Sequence, residues 1–155
     1  SIMNKLLFFF LLFYLHVANV YSDIIKPNTK IEPYNVVEIQ LISLKNNDKP
    51  DKDFGIEQTW EFAHPENKMN TGPLNNFKKM LKNEIYSILL NHKDHKIEEI
   101  YNNKKIAIYD VIILGSDNFY YEFKWQVERY DGKGSLNNCW LTTAVSNPVS
   151  LGASI

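Results

Sequence analysis

The sequence predicts an α+β domain in which three to four N-terminal helices pack on one face of a curled, cone-like, four-stranded antiparallel sheet. Three observations lead there. Between residues 119 and 127, Phe119, Tyr121, Phe123, Trp125 and Val127 alternate with Tyr120, Glu122, Lys124 and Gln126. Successive strand side chains point to opposite faces, so this pattern buries one aromatic face and wets the other, as antiparallel sheets allow. The hydrophobic period changes once along the chain, from helical spacing before His92 to strand spacing after it. Helices followed by a run of strands give the α+β order, with helices gathered on one face of the sheet.

Each element follows from local signals. Asn35 with Glu38 three residues on reads as an N-cap with a capping-box acid, and Val37, Leu41 and Leu44 share a helix face, so a helix is expected over 35–45. Residues 46–53, with Pro50, form a charged loop. Ile56, Trp60 and Ala63 repeat the helical spacing until Pro65, which cannot continue a helix. Thr71-Gly72-Pro73 introduces a third helix with Leu74, Phe77 and Leu81 on one side, and 84–91 adds a turn or two carrying Tyr86, Ile88 and Leu89. Strands are expected over 95–101, 104–114, 119–127 and 138–146. Asn102-Asn103, residues 115–118 and residues 131–134 supply the turns between them. The second strand is apolar on both sides, with Ile106, Ile108 and Ile112 against Ala107, Val111 and Ile113, and therefore reads as doubly covered. The single domain spans 34–147, between a flexible lead-in over 23–33 and a flexible tail over 148–155.

The N-terminus reads as an address. Lys5 precedes a 12-residue apolar run over 6–17, and Val20 and Ser22 occupy the −3 and −1 positions of a cleavage site before Asp23. This is the layout of a secretory signal peptide over residues 1–22, and a spanning helix needs about 20 apolar residues. Membrane attachment is expected only if that segment is retained. Cleavage leaves 133 residues and, because Lys5 departs, moves the formal charge from −1 to −2. No basic excess remains to hold nucleic acid phosphates. The one cysteine, Cys139, rules out an internal disulfide, so apolar packing must suffice.

A set of spaced motifs resembles a known family. These are Val37-x-x-x-Leu41-x-x-Leu44-x-x-Asn47-Asp48, Gly55-Ile56 with Trp60-x-Phe62-Ala63-x-Pro65-x-Asn67, Thr71-Gly72-Pro73-Leu74-x-x-Phe77, Tyr86-x-x-Leu89-Leu90-Asn91-His92 and Cys139-Trp140-Leu141-Thr142. Together they resemble the domain of unknown function 4864 family over roughly 35–145. The resemblance implies a nuclear transport factor 2-like or cystatin-like α+β fold and no established activity. Members commonly carry Gly before the cysteine, where Asn138 stands here, which implies a different turn.

No catalytic motif is evident, and the residues that bear chemistry each admit an ordinary reading. Cys139 is either a nucleophile, which requires a nearby base, or a small buried residue; His64, His92 and His95 are the bases in reach of consideration. His64, before Pro65, reads first as a helix C-terminal residue favoured by the dipole. His92, His95 and Asp94 are too few for a metal site without further ligands, and no metal or cofactor is expected. Asp110 interrupts the apolar second strand, so it sits either at a solvated face or inside a pocket as a base, with Tyr109, Tyr121 or Trp125 as donor. Trp60, Tyr86, Phe123, Trp125 and Trp140 are core residues, the lining of a small-molecule site, or part of an open face that pairs with a second copy. The expected function is a secreted binding or interaction domain, acting through a small apolar ligand or a homodimer formed by the sheet. The alternative is a cofactor-independent isomerase or dehydratase with Asp110 as its acid.

Overall fold

The computed structural model describes residues 23–155. Helix α1 (Pro33–Lys45) starts two residues before Asn35, because proline's fixed φ suits the first helical position and its missing N–H is lost there at no cost. Asn35 therefore lies inside the first turn, its amide donating to Glu38 at 3.4 Å. One face of α1 buries Val36, Val37, Gln40, Leu41 and Leu44. Helix α2 (Phe54–Glu61) packs tightly on it through Gly55, where a Cβ would fall 2.1 Å from the Ser43 carbonyl oxygen. The buried Asn47 locks the connection: its carbonyl accepts from Gly55 N–H at 2.9 Å and its Oδ1 from Ile56 N–H at 3.0 Å.

Pro65 begins a helix rather than ending one: α2 already stops at Glu61, with Phe62 as its C-cap, and Ala63 lies in a bridge to Thr142. Helix α3 (Pro65–Thr71), not expected from the sequence, has the proline in its first turn and His64 as its N-cap, with Nδ1 accepting from Glu66 N–H at 3.1 Å. His64 thus caps a helix start, where its side chain accepts from a backbone N–H, rather than a helix end. Helix α4 (Leu74–Leu81) buries Phe77 and Leu81, and a short 3-10 turn (Ser87–Leu89) leads to the sheet. The lead-in is tied down: Ile25 exchanges two hydrogen bonds with the Gln58 side chain (2.7 and 2.8 Å), and Lys26 pairs with Glu61 at 2.9 Å.

Five antiparallel strands follow: β1 (Asp94–Asn102), β2 (Ile106–Leu114), β3 (Phe119–Arg129), β4 (Trp140–Val145) and β5 (Val149–Ala153). The first three lie side by side, and the far edge of β3 is shared, its second half pairing with β4 and its first half with β5. The expected flexible tail is therefore a fifth strand, admitted by a bulge at Tyr120/Tyr121 where Gly152 takes a φ of 103°. The sheet is open rather than closed on itself, and the helices cover one face of it.

That inner face carries Ala107, Tyr109, Val111 and Ile113 of β2 and Phe123, Trp125 and Val127 of β3, all buried against α1. The outer face of β2 (Ile106, Ile108, Asp110, Ile112 and Leu114) stays half-exposed, so the strand is covered on one side only. In register, Ile112 sits between Lys96 and Glu122, whose long stems can shield an aliphatic neighbour without a second layer. Among the described residues, no helix is long and apolar enough to cross a membrane; residues 1–22, read as a signal peptide, lie outside the described residues.

Candidate functional site: a cavity between the helices and strand β4

The free edge of β4 is stitched to the α2–α3 junction. Thr142 N–H donates to the Phe62 carbonyl at 2.7 Å, and His64 N–H donates to the Thr142 carbonyl at 2.9 Å, forming a parallel bridge between Ala63 and Thr142. This holds β4 away from α4 and leaves a cavity of about 280 Å³ between them. Its deep wall is buried and consists of Gln40, Leu44, Thr59, Phe77, Leu81, Leu89, Trp125 and Thr142. Its mouth is made by half-exposed Trp60, Asn67, Thr71, Met80 and Tyr86, together with exposed Asn70 and Ala144.

Three polar side chains in the deep wall satisfy one another. Gln40 Oε1 accepts from Trp125 Nε1 at 3.0 Å and from Thr142 Oγ1 at 2.6 Å, while its Nε2 donates to the Thr59 carbonyl at 3.1 Å. Thr59 Oγ1 turns back to the Gly55 carbonyl at 2.8 Å. Buried polar groups are costly unless paired, and here the pairing also fixes the Trp125 indole as a flat wall. Nearer the mouth, Asn67 Nδ2 bridges the Thr142 and Thr143 carbonyls (3.2 and 2.8 Å), and Tyr86 donates to the Val145 carbonyl at 3.2 Å. Among the described residues, no carboxylate, histidine, cysteine or lysine lines the cavity. Such a wall can hold an apolar body by contact and shape but offers no acid, base or nucleophile.

Of the aromatic residues singled out from the sequence, Trp60, Tyr86 and Trp125 line this cavity, whereas Phe123 is enclosed in the core. Trp140 is buried beneath the Arg129 guanidinium, 5.1 Å from its ring centre, and also lies outside the lining. Gln40, Thr59, Asn67 and Thr142 were not anticipated. The available signal was Gln40, an amide set within the apolar stripe of the first helix, where only a paired polar group is tolerated.

The proposed acid is elsewhere. Asp110 lies on the outer face, opposite the helices, where Lys124 Nζ reaches its Oδ1 at 2.7 Å across the β2–β3 register. That bond raises the Lys124 ammonium above its ordinary pKa. Alternation along β2 sends Tyr109 and Val111 inward and Asp110 outward, so no pocket base exists at this position. Tyr121 donates instead to Asp117 Oδ2 at 2.5 Å, a contact that raises the phenol and, with the Phe119 N–H, lowers the carboxyl. Cys139 is buried, and burial pushes its thiol up; its contact at 3.7 Å is the Ser135 carbonyl, not a base. Ahead of it, Asn138 takes a φ of 64°, the left-handed conformation that Gly and Asn both adopt readily.

His92 and His95 form a pair outside the cavity. His92 Nδ1 lies 2.7 Å from the Leu89 carbonyl and must carry the proton, so its Nε2 accepts from His95 Nδ1 at 2.8 Å. Burial lowers the His92 pKa to about 4 and lowers that of His95 as well. Among the described residues, no group of three or more His, Cys, Asp or Glu side chains is close enough to hold a metal ion.

No protein-family model, curated protein or solved structure matches the chain, so the family resemblance rests on the quoted motifs alone.

Proposed function

We propose that this chain is a non-catalytic binding domain that holds a small, mainly apolar molecule in the cavity between α2, α3, α4 and β4. One observation carries the reading: an aromatic-walled cavity of about 280 Å³ whose deep polar groups are already paired and whose lining, among the described residues, has no carboxylate, histidine, cysteine or lysine. That volume lies just below the range of roughly 300–1,000 Å³ usual for drug-sized ligands, which favours a compact guest. The outward direction of Asp110 removes the geometric support for an isomerase or dehydratase. Calorimetric titration of the purified chain with 1-octanol tests the reading. Saturable binding is expected, together with at least tenfold weaker binding by Met80→Trp, whose half-exposed position lets a larger ring close the mouth. Absence of binding, or equal binding by the variant, contradicts it.

A second reading concerns the outer sheet face. Ile106, Ile108, Ile112 and Leu114 form a half-exposed aliphatic row beside exposed Tyr101 and Tyr120. Such a row suits pairing with a second copy of this chain. Sedimentation of wild type and Ile108→Lys distinguishes the cases: a dimer lost in the variant supports pairing, and a wild-type monomer at all concentrations ends it. As for destination, residues 1–22 are read as a secretory signal with cleavage before Asp23. The N-terminal sequence of the product from a secretory cell tests this, and a membrane-embedded product retaining Lys5 contradicts it.

A further inference from the structure

We propose that the cavity selects a small amphipathic anion, a compact apolar body bearing a carboxylate, with the carboxylate held at the mouth by Lys68. The inference rests on the cavity reading above and adds the charge of the guest. Burial sets the direction of the site: Leu44, Leu81 and Leu89 are enclosed at the deep end, while α3 lines the mouth with Asn67, Asn70 and Thr71. A guest must therefore put its apolar part inward and its polar part toward α3.

Lys68 is on that helix, half-exposed and outside the lining itself, next in sequence to Asn67, which lines the mouth. Its Nζ lies 5.3 Å from the ring centre of Trp60, the same ring that lines the cavity and packs on Phe77 with centroids 5.0 Å apart. Two lysines of the next helix, Lys78 within α4 and Lys82 at its C-cap, have carboxylate partners: Lys78 has Glu57 at 2.7 Å and Lys82 has Asp53 at 2.8 Å. Lys68 forms no ion pair with any described residue. Glu61, the acid whose charge acts on Lys68, is already engaged by Lys26 at 2.9 Å. A partly desolvated ammonium without a partner attracts an anion more strongly than a fully hydrated one does. Burial holds the Lys68 pKa below its ordinary value, in keeping with that unmet demand. The exposed Asn70 amide and the Thr71 hydroxyl offer further donors to a carboxylate seated there.

Octanoate and 1-octanol share a chain and differ in the head, so titrating both into wild type, Lys68→Met and Lys68→Arg isolates the charge. Lys68→Met keeps the apolar stem and removes the ammonium, on a surface helix where folding is not at stake. Wild type is expected to bind octanoate about fivefold or more tightly than octanol. Lys68→Met should remove that preference without changing octanol affinity, and Lys68→Arg should retain it. Octanol binding as tightly as octanoate, or Lys68→Met leaving octanoate affinity intact, overturns the anion assignment while the cavity reading stands. Binding of neither probe overturns the cavity reading and this inference with it.

Discussion

Gln40 is the residue on which the site depends. Its amide completes three hydrogen bonds that no other side chain in the wall can supply. Gln40→Leu conserves volume but takes the acceptor from the Thr142 hydroxyl and leaves Trp125 Nε1 with only the 3.4 Å contact to Thr142, while the Thr59 carbonyl keeps Phe62 N–H at 3.2 Å. The expected loss is about 2–4 kcal/mol in denaturant unfolding, since each unpaired buried group costs roughly 1–3 kcal/mol. Gly55 makes a different demand. A methyl group there meets the Ser43 backbone, so Gly55→Ala should destabilise by at least about 2 kcal/mol despite alanine's better helix propensity. His92 gives the fold an acid limit. The unfolded imidazole takes its proton near pH 6.5, whereas the folded one remains neutral until about 4. Between those values the unfolded state binds more protons, so stability falls as pH drops through this window, by up to about 3 kcal/mol. Urea midpoints at pH 7, 5.5 and 4.5 should show the decline, and His92→Gln should flatten it; an equal slope in the variant would assign the loss to other groups. His92 stood out in the chain only as a candidate base or ligand, and the roles found here were not apparent, because each depends on a partner distant in sequence or on a buried backbone contact.

At the scale of elements, the sequence reveals most where periodicity is strong and misleads where one residue type serves two purposes. The inward set Phe123, Trp125 and Val127 follows directly from the alternation in the aromatic strand. Phe119 continues the same alternation yet is exposed, because the helices do not reach that end of β3. Pro65 was expected to stop α2, which in fact ends at Glu61; proline is favoured at a helix start, and α3 was missed for that reason. Strand β5 was missed because Pro148 and Gly152 resemble a fraying tail, although Gly152 accommodates a bulge. Its role can be tested by truncation after Asn147. Removing β5 strips the hydrogen-bonding edge of β3 over residues 119–122, and an unprotected edge pairs readily with other chains. The truncated protein should unfold at lower denaturant and associate at high concentration; unchanged stability would mean that β5 is only loosely attached. Asp110→Asn, by contrast, should leave both stability and ligand binding almost unchanged, because the carboxylate pairs with exposed Lys124 away from the cavity.

For the whole molecule, division of labour between the two sheet faces organises the account. The inner face and α1 make the core, and the cavity forms at its margin, where the free edge of β4 is held by the α2–α3 junction rather than by a further strand. The order of helices and strands was legible because it needs only the period of the hydrophobic pattern. The cavity was not, because it arises from a gap between elements distant in sequence, although Trp60, Tyr86 and Trp125 were recognisable as aromatic candidates for such a lining. The central claim is that this gap receives a small apolar guest. Chemical-shift mapping of the Trp125 indole N–H during titration with 1-octanol examines it directly, since that proton is held by Gln40 in the cavity wall. The account predicts saturable shifts of the Trp125 indole and the Gln40 side-chain amide, while signals from Asp110 and Lys124 on the outer face stay still. Shifts confined to the outer face, or no shift at saturating 1-octanol, would contradict it.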